Sequence, residues 1–339
     1  MAGFTITGGV SFSGAVSMSD APPPDNTAAW FGGGYNPSVG IIYSRVDRIT
    51  FATDTATATT RGPLSTTRKG SMGTTGIYSN GWFGGGQDGG GSAGNARSTV
   101  DRITYATDTN TASVRGPLSL ARYALAAAGN LYDGWFGGGD SPGRLSTVDR
   151  ITYATDTATA SVRGPLSLDR HSLAAAGNTT AGWFGGGTSP GGYTSRVDRI
   201  TYATDTDTAS VRGPLSGLPR TGLGATGNSE YGWFAGGFDA NYPFAYSSTV
   251  SRITYANDVV AASTRGPLNM YQGGKISMGA AGDPTAGWFG GGAGYNGSVV
   301  FTTFSLVDRI TYATDTATAS TRGPLSVTRY GLGAAGGVQ

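Results

Sequence analysis

Hydrophobic and polar positions along the chain follow two regimes. Over residues 3–20, apolar residues alternate with Ser or Thr in three hexads, GFTITG, GVSFSG and AVSMSD. A period of two places Phe4, Ile6, Val10, Phe12, Val16 and Met18 on one side of an extended strand. So short a segment cannot bury that face by itself. Residues 1–26 are therefore expected to be an anchoring arm that pairs by strand addition with another subunit or a larger assembly. The stiff stretch APPPDN (21–26) serves as its spacer. The alternative is a strand folded back on the protein's own surface.

From residue 27 to 339 the pattern changes to short segments that recur about every fifty residues. The six tryptophans, at 30, 82, 135, 183, 233 and 288, each open a WFGGG or WFAGG motif. A variable stretch follows, then VDRITYATDT or a near copy, then RGPLS or RGPLN, then a basic residue and a small-residue run such as YALAAAG (123–129). Each unit divides into four strand candidates: ALAAAG, small and apolar; GWFGG, aromatic then glycine; VDRITYA, rich in β-formers; and TASVRG, after a Thr-Asp-Thr turn. No segment has a sustained helical period. Four strands per unit predict an all-β fold, a six-bladed β-propeller of four antiparallel strands per blade. The first copy lacks its small-residue strand, and the chain ends on a spare one, RYGLGAAGGVQ (329–339). That strand is expected to complete the first blade and close the ring, leaving no open edge between blades.

The unit resembles the kelch repeat over residues 29–336. That family's blade pairs a P…R element before a small-residue strand with an aromatic-diglycine strand and then a tyrosine, and GPLSLARYALAAAGNLYDGWFGGG (116–139) followed by Tyr153 keeps that order. It departs on the fourth strand, where the family usually carries tryptophan and this chain has SVRG or STRG. The resemblance implies a kelch-like binding scaffold. The N-terminal hexads are similar to Gly-Ser-Thr hexads that open some virion proteins of marine tailed phages. This resemblance implies a location in a virus particle, with a cell-surface or extracellular assembly as the alternative.

Composition narrows the chemistry. Glycine accounts for 59 of 339 residues and charged residues for 13%, while aromatics reach 11%, which suits short strands and tight turns around packed aromatic cores. A formal net charge of +2 offers no basic surface for nucleic acid, and no apolar run is long enough for membrane insertion. Without cysteine, and with one histidine, there is no thiol nucleophile and no His- or Cys-rich metal site. A copper-radical oxidase is excluded on the same counts, and the Ser-x-Asp-x-Gly-x-x-Trp box of sialidases is absent. No enzymatic activity, catalytic residue, cofactor or resident metal is expected.

Most charged residues recur in every unit and are expected to be structural. They include Arg48 to Arg309 after the VD position, Arg61 to Arg322 before GP, and Lys69, Arg122, Arg170, Arg220, Lys275 and Arg329 at the start of the first strand. Neighbouring residues on a strand face opposite ways, so Asp101 and Arg102 should pair across blades rather than with each other. Asp54, Asp108 and their equivalents read as turn formers. His171 reads as an ordinary replacement for the tyrosine at 123 and 330. Asp88, Asp140 and Asp239 follow the glycine run and are the candidates for a carboxylate or calcium site.

The copies differ mainly between the glycine triplet and VDR, in loops expected to emerge beside the RGPLS connections. Blades five, six and one carry a cluster of aromatic and amide residues with one carboxylate: Tyr35, Asn36, Tyr43, Phe238, Asp239, Asn241, Tyr242, Phe244, Tyr246, Tyr295, Asn296, Phe301 and Phe304. These are the candidate ligand contacts, suited to stacking on and hydrogen bonding to a glycan, or to a receptor protein. The expectation is a non-enzymatic structural and binding protein, a phage tail fibre, spike or capsid decoration. Its partners would be other virion proteins through the arm and a host glycan or receptor through the loops. The alternatives are a glycan-active hydrolase using loop carboxylates and a purely architectural decoration protein.

Overall fold

The computed structural model describes residues 27–89, 95–239, 246–269, 274–295 and 301–336. The anchoring residues Phe4 to Met18, and Asn241, Tyr242, Phe244 and Asn296 of the loops, lie outside them.

Six four-stranded antiparallel sheets form a six-bladed propeller. In the third blade the order from axis to rim is Ala126–Gly129, Asp133–Gly137, Val148–Thr152 and Ser161–Arg163. The first blade takes its innermost strand from the other end of the chain: Gly333–Ala335 pairs with Ala28–Gly32, Trp30 opposite Ala335 and Gly32 opposite Gly333. The ring is closed as the repeat phase predicts. No α-helix occurs among the described residues, where a 3₁₀ turn follows each VDRIT strand.

The apolar residues fill the spaces between blades. One such core joins Trp135, Val148 and Leu166 to Phe184, Ile200 and Tyr202 of the next blade. Each tryptophan ring stacks on the first residue of the next blade's 3₁₀ turn. Trp135 lies 3.7 Å from Tyr202 at 7°, and Trp288 lies 3.9 Å from Phe51 at 12°. The indole N–H then donates to the Asp at the end of that turn, Trp82 to Asp156 at 2.9 Å and Trp288 to Asp54 at 2.9 Å. The same carboxylate pairs with two arginines of the preceding blade, as Asp156 does with Arg102 at 3.1 Å and Arg115 at 3.6 Å. The cross-blade expectation is therefore met for Arg102 but not for Asp101, which pairs within its own blade. The turn Asp does more than form a turn. It is only 5–6% exposed, because it must reach three donors across the seam.

The carboxylate of VDR is used within its blade. Asp101 pairs with Arg68 at 2.6 Å and Asp198 with Arg170 at 2.9 Å, all four fully buried. The second blade's basic residue is thus Arg68, seven residues after Arg61, and not Lys69. Lys69 instead occupies the position of Tyr123 and His171. Burial lowers the pKa of Arg68, Arg122 and Arg170, and the facing Asp opposes that shift. The guanidinium also caps backbone carbonyls, Arg170 donating to Phe184, Gly186, and Arg196.

The innermost strands enclose an axial channel lined by Gly, Ala, Ser, Thr, Leu and Met, with a cavity of about 110 Å³. That volume suits ordered water rather than an organic ligand. At its loop-side end runs a closed collar of backbone hydrogen bonds. Ser71 donates to Gly331, Gly331 to Ser277, Ser277 to Gly222, Gly222 to Ser172, Ser172 to Ala124 and Ala124 to Gly70, at 2.6–3.0 Å. The six donors have φ of 51–70°, a left-handed conformation that four of them adopt without being glycine.

Candidate functional site

The loops after the glycine triplets gather on one face. The second and third glycines of each triplet have positive φ, about 70° and 100° at Gly186 and Gly187, and turn the chain out of the second strand. The next residue then pairs with the one that follows the buried base of the same blade. The six pairs are Tyr35 with Tyr330, Gln87 with Lys69, Asp140 with Tyr123, Thr188 with His171, Phe238 with Thr221, and Ala293 with Ile276. The RGPLS connections lie beside these loops, Leu64 donating to Ser44 and Arg68 to Tyr43 through the backbone. Short hairpins rise from three of the loops: Tyr35–Asn36 with Ile41–Ile42, Thr188–Ser189 with Gly192–Tyr193, and Ala293–Tyr295 with Phe301–Thr303.

The candidate aromatics make a connected arc. Tyr193 of blade four meets Phe238 of blade five at 5.9 Å, Phe238 meets Tyr246 at 5.2 Å, and Tyr246 meets Tyr295 of blade six at 5.0 Å, each edge to face. Tyr295 lies opposite Phe301 in its hairpin, and Phe301 meets Tyr330 at 5.9 Å. Tyr330 meets Tyr35 of blade one at 5.9 Å, and Lys69 of blade two sits 4.4 Å from the centre of the Tyr35 ring. Tyr193 and Phe301 are exposed and the other rings half-buried. Burial and the neighbouring hydroxyls raise the pKa of Tyr246 and Tyr330, so both remain donors at neutral pH.

Two of the candidates are placed differently. Asn36 is buried, donates to Thr328 Oγ1 at 3.0 Å and accepts from the Ser38 N–H, which ties its hairpin down. Phe304 is also buried and packs under the loop. Tyr43 is half-buried at the base of its loop. Conversely, Tyr193, Tyr330 and Lys69 join the arc without having been singled out. Tyr330 was hidden by its place in the repeated RY, and Tyr193 stands in a loop otherwise made of small residues.

The other half of the face is polar. Asp88 pairs with Arg97. Asp140 accepts from the Gly143 N–H at 3.0 Å and lies 3.9 Å from His171, whose pKa is lowered by burial against the pull of Asp140. Asp239 stands on blade five, opposite Arg220 in register. There VDR becomes VSR, and the buried guanidinium bonds Ser251 Oγ at 2.7 Å. Burial lowers its pKa to about 10, against the pull of Asp239. Among the described residues no cluster of three metal-ligating side chains exists. The three loop carboxylates stand on separate blades.

Neither the models of known protein families nor the curated proteins match this chain. The functional reading therefore rests on its own geometry. One element of that geometry gives the molecule a polarity: the chain enters at Thr27, whose carbonyl accepts from Phe51 N–H. Thr27 stands at the opposite end of the second strand from the glycine turn, on the face away from the loops.

Proposed function

We propose that the protein is a non-enzymatic structural and binding protein with a kelch-like propeller, an appendage of a phage virion. In this reading residues 1–26 hold it to other virion proteins on one face, and the opposite face contacts a host-surface glycan. The observation that carries the binding reading is the aromatic arc from Tyr193 to Tyr35, which crosses four blades through ring contacts and, between Tyr295 and Phe301, a cross-strand pair, on a scaffold whose other features repeat. Half-exposed tyrosines offer an apolar ring for the C–H face of a sugar and a hydroxyl for its oxygens, at little entropic cost. The hexads and the entry point at Thr27 support attachment from behind. The loop carboxylates favour binding over hydrolysis, since Asp88 and Asp140 are engaged with Arg97 and the Gly143 N–H, and the channel lining carries no acid among the described residues.

The test is a glycan array probed with the full chain, followed by Tyr295→Ala and Phe301→Ala. Binding to at least one glycan class is expected, with a loss of tenfold or more in each variant. Stability should change by no more than about 0.5 kcal/mol, as for surface positions. Equal binding by both variants, or no glycan retained by the wild type, would overturn the reading.

A further inference from the structure

Blade six departs from its sisters at the site where the other five bury an arginine. Arg68, Arg122, Arg170, Arg220 and Arg329 are no more than 1% exposed. In blades three and four the RGPLS serine completes the arrangement, Ser167 giving its N–H and its hydroxyl to Asp198 and Ser119 doing the same for Asp149, while in blade two Ser65 gives Asp101 only its N–H. In blade six both groups change together. The base is Lys275 and the serine is Asn269. Lys275 Nζ pairs with Asp308 Oδ2 at 2.7 Å and bonds no other group, while the Asp308 carboxylate also accepts from the Asn269 N–H. Nζ makes no hydrogen bond to the carbonyls of Phe289, Gly291 or Leu306, which correspond to those capped by Arg170. Asn269 turns its amide away, donating to Thr321 Oγ1 at 2.7 Å.

Beside Lys275 and Asn269 lies a cavity of about 260 Å³. Thr321 is exposed and Asn269 half-exposed at its mouth, while Lys275, Asp308 and Phe304 are buried at its floor and Leu306 lines its side. Burial raises the Asp308 pKa, with Lys275 opposing. Drug-sized ligands occupy sites of roughly 300–1,000 Å³, so this one fits a single small ring. The ion pair is neutral as a whole, so the pocket has no net charge with which to hold an ion. It does place a donor and an acceptor side by side, and the ammonium has protons, and the carboxylate lone pairs, beyond the one contact they make with each other. Adjacent hydroxyls satisfy both at once, one accepting from the ammonium and one donating to the carboxylate. The Phe304 ring supplies an apolar wall.

We propose that this pocket is a sugar subsite that takes one neutral hexose residue, held by Lys275 and Asp308 through adjacent hydroxyls. It rests on the glycan-binding reading and deepens it, since blade six also carries Tyr295 and Phe301 of the arc.

The other blades supply the test. Lys275→Arg puts into the pocket the side chain that five blades already accommodate, so it should close the site while the melting temperature holds or rises. Free galactose, glucose, mannose and N-acetylglucosamine are titrated into the full-length protein and followed by NMR shifts. At least one is expected to bind the wild type and to bind Lys275→Arg tenfold or more weakly, while Val114→Ala, on the exposed rim strand of blade two, leaves monosaccharide binding unchanged. If Lys275→Arg lowers the melting temperature, Thr321→Phe closes the mouth from the exposed rim instead, and the same loss is expected. Absence of binding by all four sugars, or equal binding by the closed variants, would overturn the subsite. Glycan-array binding that survives Lys275→Arg but fails in Phe301→Ala would overturn the subsite alone. An array on which the wild type retains nothing would remove the reading beneath it.

Discussion

The seams between blades and the loops on the face obey opposite rules. At each of six seams a tryptophan stacks on the next blade's turn and donates to its Asp, and the same two arginine positions meet that carboxylate. On the loop face no two blades agree: blade one presents a tyrosine beside Tyr330, blade three an Asp beside a tyrosine, and blade four a threonine beside His171. Repetition at the seams has a geometric origin, because a closed ring demands the same angle between all neighbours. One seam of a different shape would have to be absorbed by the other five. The loops carry no such constraint, since each rises from its own blade after the glycine turn. Variation is therefore concentrated where it costs the ring nothing, and that is where recognition can be built.

The sharpest way to break this contrast is to remove a seam carboxylate. Asp156→Ala leaves the buried Trp82 N–H without an acceptor and deprives Arg102 and Arg115 of their shared partner. Stranding buried partners in this way typically costs about 3–5 kcal/mol. The partial exposure of both arginines places the expectation toward the lower figure. Urea unfolding measures it directly. A loss below about 1 kcal/mol would mean that the seam does not depend on this carboxylate.

Next comes a glycine that no aromatic motif advertises. Gly116, in RGP, packs so closely on the next blade that a Cβ would stand 1.9 Å from the carbonyl oxygen of Ala158. The equivalent glycines, at 62, 164, 213, 266 and 323, are just as close to their neighbours, at 1.9–2.0 Å. The obstacle is backbone, which a rotamer change cannot move aside. Gly116→Ala is expected to destabilise the ring by about 1–3 kcal/mol or more by forcing two blades apart. Gly143→Ala, on the loop face, meets nothing within 4 Å and pays only for its φ of 99°. Should Gly143→Ala prove the more harmful of the two, the contrast between seam and loop would fail.

These positions show what could be read from the chain alone. Blade number, strand order, ring closure and the placement of Trp and Phe between blades all follow from the repeat, since sixfold copies at a fixed period leave few other folds. What could not be read are contacts between distant residues. Asp108 and its equivalents have the sequence of a turn, and only the neighbouring blade reveals their three donors. Arg68 and Lys69 are adjacent, so the pattern of a basic residue before the first strand fits either, and the spacing from RGP decides between them. The collar through Ser71, Ala124, Ser172 and Ser277 gives no signal, since none of these residues favours a left-handed backbone. On the loop face the arc's members in blades five, six and one were nameable as aromatics in variable loops. Their edge-to-face connection, and the inward turn of Phe304, depend on packing that composition does not encode.

The smallest expected effect lies within the seam itself and tests how much of its chemistry is needed. Tyr202 stacks on Trp135, but its buried hydroxyl has no hydrogen-bond partner, and blade one already uses Phe51 at this position. Tyr202→Phe keeps the stack and removes an unsatisfied polar atom, so stability at pH 7 should change by less than about 1 kcal/mol, in either direction. At alkaline pH the two proteins should separate. Burial raises the pKa of Tyr105, Tyr153, Tyr202, Tyr255 and Tyr312 above the ordinary value of 10.0. Above pH 10 the unfolded chain therefore gives up protons that the folded ring retains, and stability falls as pH rises. Each such tyrosine contributes about 1.4 kcal/mol per pH unit to that fall until its folded-state pKa is reached. The variant lacks one of the five and should lose stability more gently between pH 10 and 11, as thermal melts across that range would show. Parallel curves for the two proteins would mean that Tyr202 ionises as readily in the ring as in the unfolded chain, and so is not sealed in the seam.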